Sequence, residues 1–354
     1  MSEDTKPLRA GVIGLRMGRS HARSMQRLDA YQVVGLCDLN AELAGELVTE
    51  AFPDAKAYTD YQEMLAAEQL DVVAVCTPTD SHAQLTIAVA ETGVRGICCE
   101  KPMATSLGDG RAMVRACDEN GVKLIVSHQR RMGPDLLTMR RLIDEGAIGE
   151  VYLVRGGCQG DLLSDGTHLI DSLRWLAGDS PVQWLLGQIH RETPDPEEEH
   201  GIGFHRSGGY RYGHMIENGA MAVVEFESGL RAEMFTGSMH MRGRPYQDYE
   251  VLGTKGRLWR NGDQADPPLR IQDEEAGGYR VLSNDPDAPA HAQVNMYAAF
   301  AQTIREGTPH PLSGESGLAD LEIIMAIHES ARTHNRIEFP LEQETYPLLL
   351  MYPE

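Results

Sequence analysis

The stretch LRAGVIGLRMGRSH, residues 8–21, joins an apolar run to a glycine-rich turn. The apolar run predicts a strand over Leu8–Leu15, and the glycines predict a sharp turn into a helix. Such a turn suits a dinucleotide pyrophosphate, because glycines let the backbone approach closely and the helix N-terminus offers free N–H donors. The stretch therefore predicts the opening of a dinucleotide-binding α/β fold.

Cofactor contacts are expected from Gly14, Arg16, Met17 and Gly18. The pattern departs from G-x-G-x-x-G, because Arg16 stands at the second glycine and the loop is one residue shorter. An arginine here either crowds the pyrophosphate or pairs with a phosphate, and the sequence leaves both alternatives open. Asp38 ends the second predicted strand, where its carboxylate can accept hydrogen bonds from ribose hydroxyls. We therefore expect NAD as the cofactor, with NADP possible.

Up to Gly149 the chain alternates short apolar runs with longer segments of helical periodicity. This alternation is typical of a parallel sheet with crossover helices on both faces. We predict an α/β N-terminal Rossmann domain over residues 1–126. Its predicted strands are Leu8–Leu15, Val33–Cys37, Val72–Cys76, Gly96–Cys99 and Lys123–Ser127.

Beyond Gly149 the chain changes to strands separated by glycine-rich and acidic turns. We predict an α+β domain for substrate binding and oligomerisation over residues 127–354, with a large, mostly antiparallel open sheet. The last helix is a candidate to pack back on the Rossmann domain. The polar stretches Glu192–Gly213 and Asn261–Gly278 are expected to be solvated loops, because they are too long and polar for core connections. The predicted strands are Val151–Arg155, Ala220–Phe226 and Arg231–Ser238.

The composition excludes several classes of protein. Lys and Arg total 32 against 53 Asp and Glu, and the net charge of -21 repels nucleic-acid phosphates and anionic membranes. No apolar signal segment opens the chain, and no apolar run reaches the roughly 18–20 residues of a membrane span. We expect a cytoplasmic protein without nucleic-acid or membrane partners. Its six cysteines lack a C-x-x-C pair and are expected to be reduced core residues.

Polar residues follow the middle strands, at the edge where open parallel sheets bind ligands. Thr77-Pro78 follows the third predicted strand with His82 behind it, and Glu100-Lys101-Pro102 follows the fourth. We take Thr77, Pro78, His82, Glu100 and Lys101 as candidates for cofactor binding. Lys101 lies at the end of a buried strand, where a lysine can exchange a proton with a substrate hydroxyl. Without other motifs, a surface lysine paired with Glu100 would be the better interpretation.

The order and spacing of these motifs resemble the Gfo/Idh/MocA oxidoreductases, which include glucose-fructose oxidoreductase and inositol dehydrogenase. The resemblance covers almost the whole chain and implies an NAD(P)-dependent enzyme. It rests on the Gly14 turn with His21, Asp38, Thr77–Thr79 with His82, Glu100–Pro102, His128–Arg131, Asp161–Asp171, Gly253–Gly256 and Glu329–Ala331.

The resemblance implies that Lys101 and His168 act beside the nicotinamide. Family members commonly carry an aspartate four residues before this histidine, and here Ser164 holds that position. Asp165 or Asp161 would have to substitute, and we take Asp165 as the catalytic candidate that orients the His168 ring. Asp171 is the remaining alternative.

Helical spacing puts Ser164, His168, Asp171 and Trp175 on one face of a helix and apolar residues on another. We expect the apolar face to pack and the polar face to look outward. Gln129 is a further candidate for cofactor binding. The candidates for substrate binding are Lys101, Arg131, Asp161, Ser164, His168, Tyr210 and Tyr212.

We predict an enzyme that moves a hydride between nicotinamide and a secondary alcohol of a sugar, glycoside, inositol or sugar acid. A redox-neutral enzyme with tightly bound NAD and a non-catalytic sugar or NAD sensor are the alternatives. A metal-dependent hydrolase ranks last, because no H-x-x-x-H or H-x-H arrangement joins carboxylates. We therefore expect no metal site. The predicted antiparallel sheet has one uncovered face, which a partner subunit can cover. The resemblance also implies a dimer or tetramer, so we expect a homodimer or homotetramer.

Overall fold

The computed structural model describes residues 6–192, 209–240, 246–263, 265, 268–273, 278–282 and 291–353. Its α-helices are α1 Leu15–Gln26, α2 Ala41–Ala51, α3 Tyr61–Ala67, α4 His82–Ala90, α5 Leu107–Glu119, α6 Pro134–Asp144, α7 Thr167–Leu176, α8 Ala292–Glu306, α9 Gly314–Thr333 and α10 Pro347–Met351.

The strands of the described residues alternate with these helices in the first part of the chain and follow one another in the second. They are β1 Leu8–Ile13, β2 Tyr31–Cys37, β3 Lys56–Tyr58, β4 Val72–Val75, β5 Gly96–Cys99, β6 Lys123–Val126, β7 Val151–Cys158, β8 Val182–His190, β9 Tyr210–Arg211, β10 His214–Met215, β11 Gly219–Phe226, β12 Arg231–Thr236, β13 Asp248–Gly253, β14 Gly256–Arg260, β15 Leu269–Asp273, β16 Arg280–Leu282 and β17 Ile337–Glu338.

The first compact unit holds the described residues up to Gln129 together with His291–Ala319. Its six-stranded sheet has the order β3-β2-β1-β4-β5-β6, and every pair is parallel. Because the strands are parallel, their carboxyl ends meet at one edge. The Rossmann prediction is confirmed.

Helix α8 belongs to this first unit although it comes late in the chain. A Cβ on Gly96 of β5 would lie 2.7 Å from Phe300 and Ile304 of α8, so the glycine lets the helix lie close to the sheet. The division into a cofactor-binding domain over residues 1–126 and a substrate-binding domain over 127–354 stays a prediction, since compactness does not show what a unit binds.

The second unit holds the described residues between Arg130 and Ala290 and those from Asp320 onward. Its nine-stranded sheet has the order β16-β15-β14-β13-β7-β12-β11-β8-β17. The pair β7–β12 is parallel, and the other pairs within the described residues are antiparallel. The predicted large, mostly antiparallel sheet is confirmed.

The two predicted loops need correction. β15 lies inside Asn261–Gly278 and pairs with β14 in the sheet, so this stretch is not one solvated loop. Residues 193–208 of Glu192–Gly213 lie outside the described residues, whereas β9, in the remaining part, pairs with β10. Both strands escape the sequence pattern because they are short and rich in polar residues.

All six cysteines are unpaired and buried, as predicted. Among the helices in the described parts of the chain, none is long and apolar enough to cross a membrane.

Candidate active site

The glycine turn after β1 is shaped by two close approaches of backbone. Gly14 has φ +85°, and a Cβ there would lie 2.7 Å from the carbonyl oxygen of Cys76. A Cβ on Gly18 would lie 2.5 Å from Val12 Cγ1, so this glycine lets α1 pack tightly on β1. Helix α1 begins directly after Gly14. These residues fit a dinucleotide, because the backbone can approach a pyrophosphate at a helix N-terminus.

Arg16 and Met17 are exposed in the first turn of α1, at the mouth of the glycine turn. Asp38 spans the same turn from the end of β2. Its Oδ2 accepts the N–H of Leu15 at 2.7 Å, and its Oδ1 accepts the N–H of Asn40 at 2.9 Å. The carboxylate is therefore held in place by backbone donors at the predicted ribose position.

His82 joins the turns that follow β4 and β5. Its Nε2 lies 2.8 Å from the carbonyl oxygen of Thr77, and its Nδ1 lies 2.9 Å from that of Pro102. The ring is buried, and burial lowers its pKa despite the raising effect of the two carbonyls. Thr77 Oγ1 also accepts the Ser81 hydroxyl at 2.7 Å, next to Pro78. His82 thus acts as a bridge between two turns, and its contact with cofactor stays a prediction.

Lys101 follows β5 in a turn fixed by its neighbour. The Lys101 N–H donates to Glu100 Oε2 at 3.0 Å. Glu100 Oε1 lies 2.6 Å from Nε2 of His21, which comes from α1. Burial raises the pKa of Glu100, but the hydrogen bond and charge of His21 outweigh it and lower this pKa to about 2. Glu100 is therefore an ionised carboxylate at working pH.

Gln129 lies in a short helical turn after β6, where its Oε1 accepts the Ser127 hydroxyl at 3.2 Å. The predicted cofactor residues Gly14, Asp38, Thr77, Lys101 and Gln129 all follow carboxyl ends of strands in one parallel sheet. The structure therefore brings them to one edge of the first unit.

In the second unit, a π-helical turn over Leu162–Gly166 precedes α7. Asp161 caps it, because its Oδ1 accepts the Ser164 N–H at 2.7 Å. The ring of His214 lies close, with Nε2 3.4 Å from Ser164 Oγ and 3.9 Å from Asp161 Oδ1. Burial raises the pKa of Asp161, but His214 and Arg211 outweigh it and lower this pKa to about 2. Asp161 and Ser164 thus lie together, and their contact with substrate stays a prediction.

Arg211 connects the β9–β10 hairpin to the π-helical turn. Its Nη1 donates to Asp165 Oδ2 at 2.6 Å and to Asp161 Oδ2 at 3.2 Å. Its guanidinium lies 4.8 Å from the ring centroid of Tyr212, an exposed residue with φ +50°. Tyr210 lies in the same hairpin. The hairpin thus places a cation between the two carboxylates.

Asp165 has partners for both carboxylate oxygens. Oδ1 accepts the hydroxyl of Tyr246 at 2.7 Å, and Oδ2 binds Arg211. Asp171, the other alternative, forms a buried ion pair with Arg131 at 2.7 Å. Each of the three candidate aspartates is therefore bound to an arginine, and the pairing of an aspartate with His168 stays a prediction.

One sequence expectation for this region needs correction. Helix α7 is buried nearly all round, including His168 and Asp171, so it has no outward-facing polar side; Trp175 is half-buried. Arg131 is 1% exposed, and its guanidinium binds Asp171 and Asp179. Arg131 thus belongs to an ion-pair network with Asp171 and Asp179, and its contact with substrate stays a prediction.

Sequence reasoning missed three residues that hold the π-helical turn. Tyr246 binds Asp165, and Glu217 Oε1 accepts the Leu162 N–H at 2.6 Å. Glu217 Oε2 in turn lies 2.9 Å from His328 Nε2. These contacts join residues 55 to 111 positions apart in the chain, so no local sequence pattern predicts them.

The parallel sheet with its glycine turn defines the class as a dinucleotide-binding α/β protein. Two family models match the chain. Residues 8–128 match the NAD-binding Rossmann fold of the oxidoreductase family, and residues 156–339 match its C-terminal alpha/beta domain. The chain belongs to the Gfo/Idh/MocA family and is an NAD-binding oxidoreductase.

Curated relatives match over nearly the whole chain. D-apiose dehydrogenase of Paraburkholderia graminis is 28% identical, covering 94% of this chain and 90% of its own length. 1,5-anhydro-D-fructose reductase of Ensifer adhaerens is 29% identical, and the match covers 93% of this chain and 98% of that protein. The NADP(+) scyllo-inositol 2-dehydrogenase of Bacillus subtilis is 26% identical, covering 93% and 95%.

Solved structures share the fold. Levoglucosan dehydrogenase in complex with NADH has a TM-score of 0.79 at 22% identity, covering 94% of this chain and 99% of that chain. The WlbA dehydrogenase of Bordetella pertussis, in complex with NADH and UDP-GlcNAcA, has a TM-score of 0.73 at 23% identity, covering 95% and 100%.

Proposed function

We propose that this enzyme moves a hydride between nicotinamide and a secondary alcohol of a sugar, glycoside, inositol or sugar acid, with NAD as its preferred cofactor. One observation carries the proposal: the glycine turn, Asp38 and Lys101 follow the carboxyl ends of β1, β2 and β5 at one edge of a single parallel sheet. Relatives named as dehydrogenases of apiose and of inositols support a polyhydroxylated substrate.

The residues divide the work between proton transfer and placement. Bound nicotinamide would supply the hydride-accepting chemistry. Lys101 exchanges the hydroxyl proton, with His168 as second acid-base group, and proton transfer of this kind is worth roughly 10²–10⁴-fold in rate. Asp161, Ser164 and the Arg211 hairpin offer acceptors and donors for substrate hydroxyls.

Asp38 supports the preference for NAD. Backbone N–H groups hold both of its oxygens at the end of β2, so a negative charge is fixed at the predicted ribose position. A 2′-phosphate would be repelled there, whereas ribose hydroxyls can donate to the remaining lone pairs.

The first test is a screen of purified protein with NAD, then NADP, against sugars, glycosides, inositols and sugar acids, followed by the absorbance of reduced nicotinamide. We expect a rising signal with one substrate group and with NAD. A flat signal together with NAD released on denaturation would instead indicate the redox-neutral enzyme, and a flat signal without nucleotide affinity a sensor.

The catalytic roles are tested by substitution. Lys101→Ala and His168→Ala are each expected to lower turnover by about 100-fold or more. Lys123→Ala, at an exposed lysine on β6, is the matched control and should keep wild-type turnover. Near-wild-type turnover in both site variants would show that proton transfer lies elsewhere.

We also propose a cytoplasmic homodimer or homotetramer. The six reduced, buried cysteines suit a reducing compartment. Tyr152, Leu186 and Met221, on strands of the nine-stranded sheet, are exposed apolar side chains that a partner would cover. Light scattering after size exclusion should give twice or four times the 39.0 kDa chain mass.

A further inference from the structure

Each compact unit contains a buried Glu–His pair that holds a backbone N–H of a functional turn. In both pairs, one carboxylate oxygen accepts that N–H and the other lies against a fully buried imidazole. In both, a tyrosine ring meets the imidazole edge-on. The fold thus uses the same arrangement twice, in two unrelated parts of the chain.

The first pair lies beneath the turn that carries Lys101. Glu100 Oε2 holds the Lys101 N–H at 3.0 Å, and Oε1 lies 2.6 Å from His21 Nε2. The other ring nitrogen of His21 lies 2.6 Å from the hydroxyl of Tyr297 in α8. Three elements, α1, the end of β5 and α8, therefore meet at one carboxylate.

The second pair lies beneath the π-helical turn. Glu217 Oε1 holds the Leu162 N–H at 2.6 Å, and Oε2 lies 2.9 Å from His328 Nε2. The His328 ring packs edge-on to Tyr346, with centroids 5.2 Å apart. Both members of the pair have fully buried side chains.

Stability alone does not account for these pairs. In a buried ion pair such as Glu100 with His21, desolvation costs about as much as the attraction returns, and well-packed apolar residues of similar volume often stabilise a fold as well. What an apolar residue cannot do is accept a backbone N–H in a fixed direction. A buried carboxylate locked by an imidazole does so with a short, charge-assisted hydrogen bond.

We propose that Glu100 with His21, and Glu217 with His328, are positioning residues that fix the turns presenting Lys101 and the Asp161–His168 segment. The expected effect on kcat rests on the proposed function. The expected effect on the rigidity of the two turns rests on the hydrogen bonds alone. A misplacement of the order of 1 Å in a reacting group can cost about 100-fold in rate.

The structural test is amide hydrogen exchange, which does not depend on turnover. The double variants His21→Leu/Glu100→Met and His328→Leu/Glu217→Met replace each pair by apolar volume and leave no buried charge unpaired. We expect faster exchange in the peptide containing Lys101 in the first and in the peptide containing Leu162 in the second. Glu100→Gln and Glu217→Gln keep a neutral acceptor and should restore most of the protection.

A matched control is Glu68→Gln. Glu68 is a buried carboxylate bound by Arg9 of β1 and by Lys56 and Tyr58 of β3. The Glu68→Gln substitution removes comparable ion pairs, but Glu68 contacts neither the Lys101 turn nor the π-helical turn. Its exchange at both peptides and its turnover should match the wild type.

The kinetic test separates placement from binding. With a substrate from the screen, we expect kcat to fall by about 100-fold in each double variant. NAD affinity, measured by fluorescence titration, should stay within about twofold of wild type in the Glu217 variant, since that pair lies in the unit without the glycine turn. Glu100→Gln and Glu217→Gln should recover most of the lost kcat.

Two results would overturn the proposal: unchanged exchange at both peptides in folded double variants, or faster exchange with kcat unaltered. If wild-type protein shows no turnover with any substrate, the proposed function fails instead, and the exchange data still decide whether the pairs hold the turns. Thermal unfolding of each variant shows that it is folded before either comparison is made.

Discussion

Gly160 is the residue on which the arrangement of Asp161 and Asp165 depends most directly. Its φ is +91°, and a Cβ there would overlap the Asp165 carboxylate. Gly160→Ala should therefore cost the roughly 1–2 kcal/mol of a left-handed non-glycine residue and also push Asp165 away from Arg211. We expect lower stability in urea unfolding and a higher KM for substrate.

Gly229→Ala is the control for this prediction. Gly229 also has a positive φ, of +80°, but a Cβ there meets nothing within 4 Å. It should lose similar stability without a change in KM. An equal KM effect in both variants would mean that backbone strain, not contact with Asp165, is responsible.

The His21–Glu100 pair should give stability a recognisable pH dependence. Burial opposes the charge on His21, but contacts with Cys76 and Tyr297 raise its pKa well above 6.5, while the pKa of Glu100 lies at about 2. The stability linked to His21 is fully present below pH about 6.5 and is lost as pH rises through its folded pKa. The stability linked to Glu100 is present above about pH 4.5 and is lost as pH falls toward 2.

Urea unfolding from pH 4 to 9 tests the direction of this pH dependence of stability. Above about pH 6.5, the unfolding free energy of wild type should fall by about 1.4 kcal/mol per pH unit more steeply than that of His21→Gln. His310→Gln is the comparison above about pH 6.5, because burial lowers the pKa of His310 to about 4 and so leaves it neutral in that part of the range. Parallel curves for wild type and His21→Gln above pH 6.5 would contradict a charged His21.

Single residues also mark how far sequence reasoning reaches. Asp38, Lys101 and Ser164 are placed by motifs, because each stands a fixed number of residues from a strand end or a histidine. The two Glu–His pairs beneath the turns of the site, by contrast, join distant parts of the chain: His21 is 79 positions from Glu100, and His328 is 111 from Glu217. One sequence alone does not reveal such pairs, because they depend on how the folded chain buries and orients the two side chains.

At the scale of elements, we predict that Arg211 of the β9–β10 hairpin determines the pH at which kcat/KM falls on the acid side. Arg211 is one of the groups that keep the pKa of Asp161 at about 2 despite burial. In Arg211→Ala, two buried carboxylates lose the cation between them, and the pKa of Asp161 should rise by about 1–3 units. The acid limb of kcat/KM should therefore move to higher pH.

Arg231→Ala serves as the control, because Arg231 pairs with Glu225 on an exposed part of the β11–β12 pair. Arg211→Lys keeps the charge but loses the planar fork, so it should show an intermediate shift. An unshifted acid limb in Arg211→Ala would exclude Asp161 from the groups that govern the profile.

Elements differ in how well their patterns predict them. β4 and β5 are continuous runs without charged residues that are buried on both faces, and β1 is interrupted only by Arg9, which is why they are recognised. β3 is three residues long and mostly exposed, and β15 alternates polar and apolar residues inside a polar stretch. Helix α7 reads as amphipathic, yet its polar residues are buried, because ion pairs such as Arg131–Asp171 compensate their charges.

At the scale of the whole molecule, the net charge of -21 should act on charged substrates. In the second unit, Asp161 and Asp165 share Arg211, which leaves one negative charge in excess at these three residues. A sugar acid therefore approaches against a long-range and a local repulsion, whereas a neutral sugar or inositol meets neither. Such fields change association rates by roughly tenfold or more.

Ionic strength provides the measurement. Salt shortens the Debye length from about 30 Å at 0.01 M to about 3 Å at 1 M, so repulsion that extends through solvent is screened. We expect kcat/KM for a sugar acid to rise by roughly tenfold over this range and that for a neutral polyol to stay nearly constant. Asp165→Asn removes one of the local charges and should reduce the gap between the two substrates at low salt. A sugar acid whose kcat/KM falls with salt would instead require a cationic binding group, because attraction, not repulsion, would then be what the salt screens.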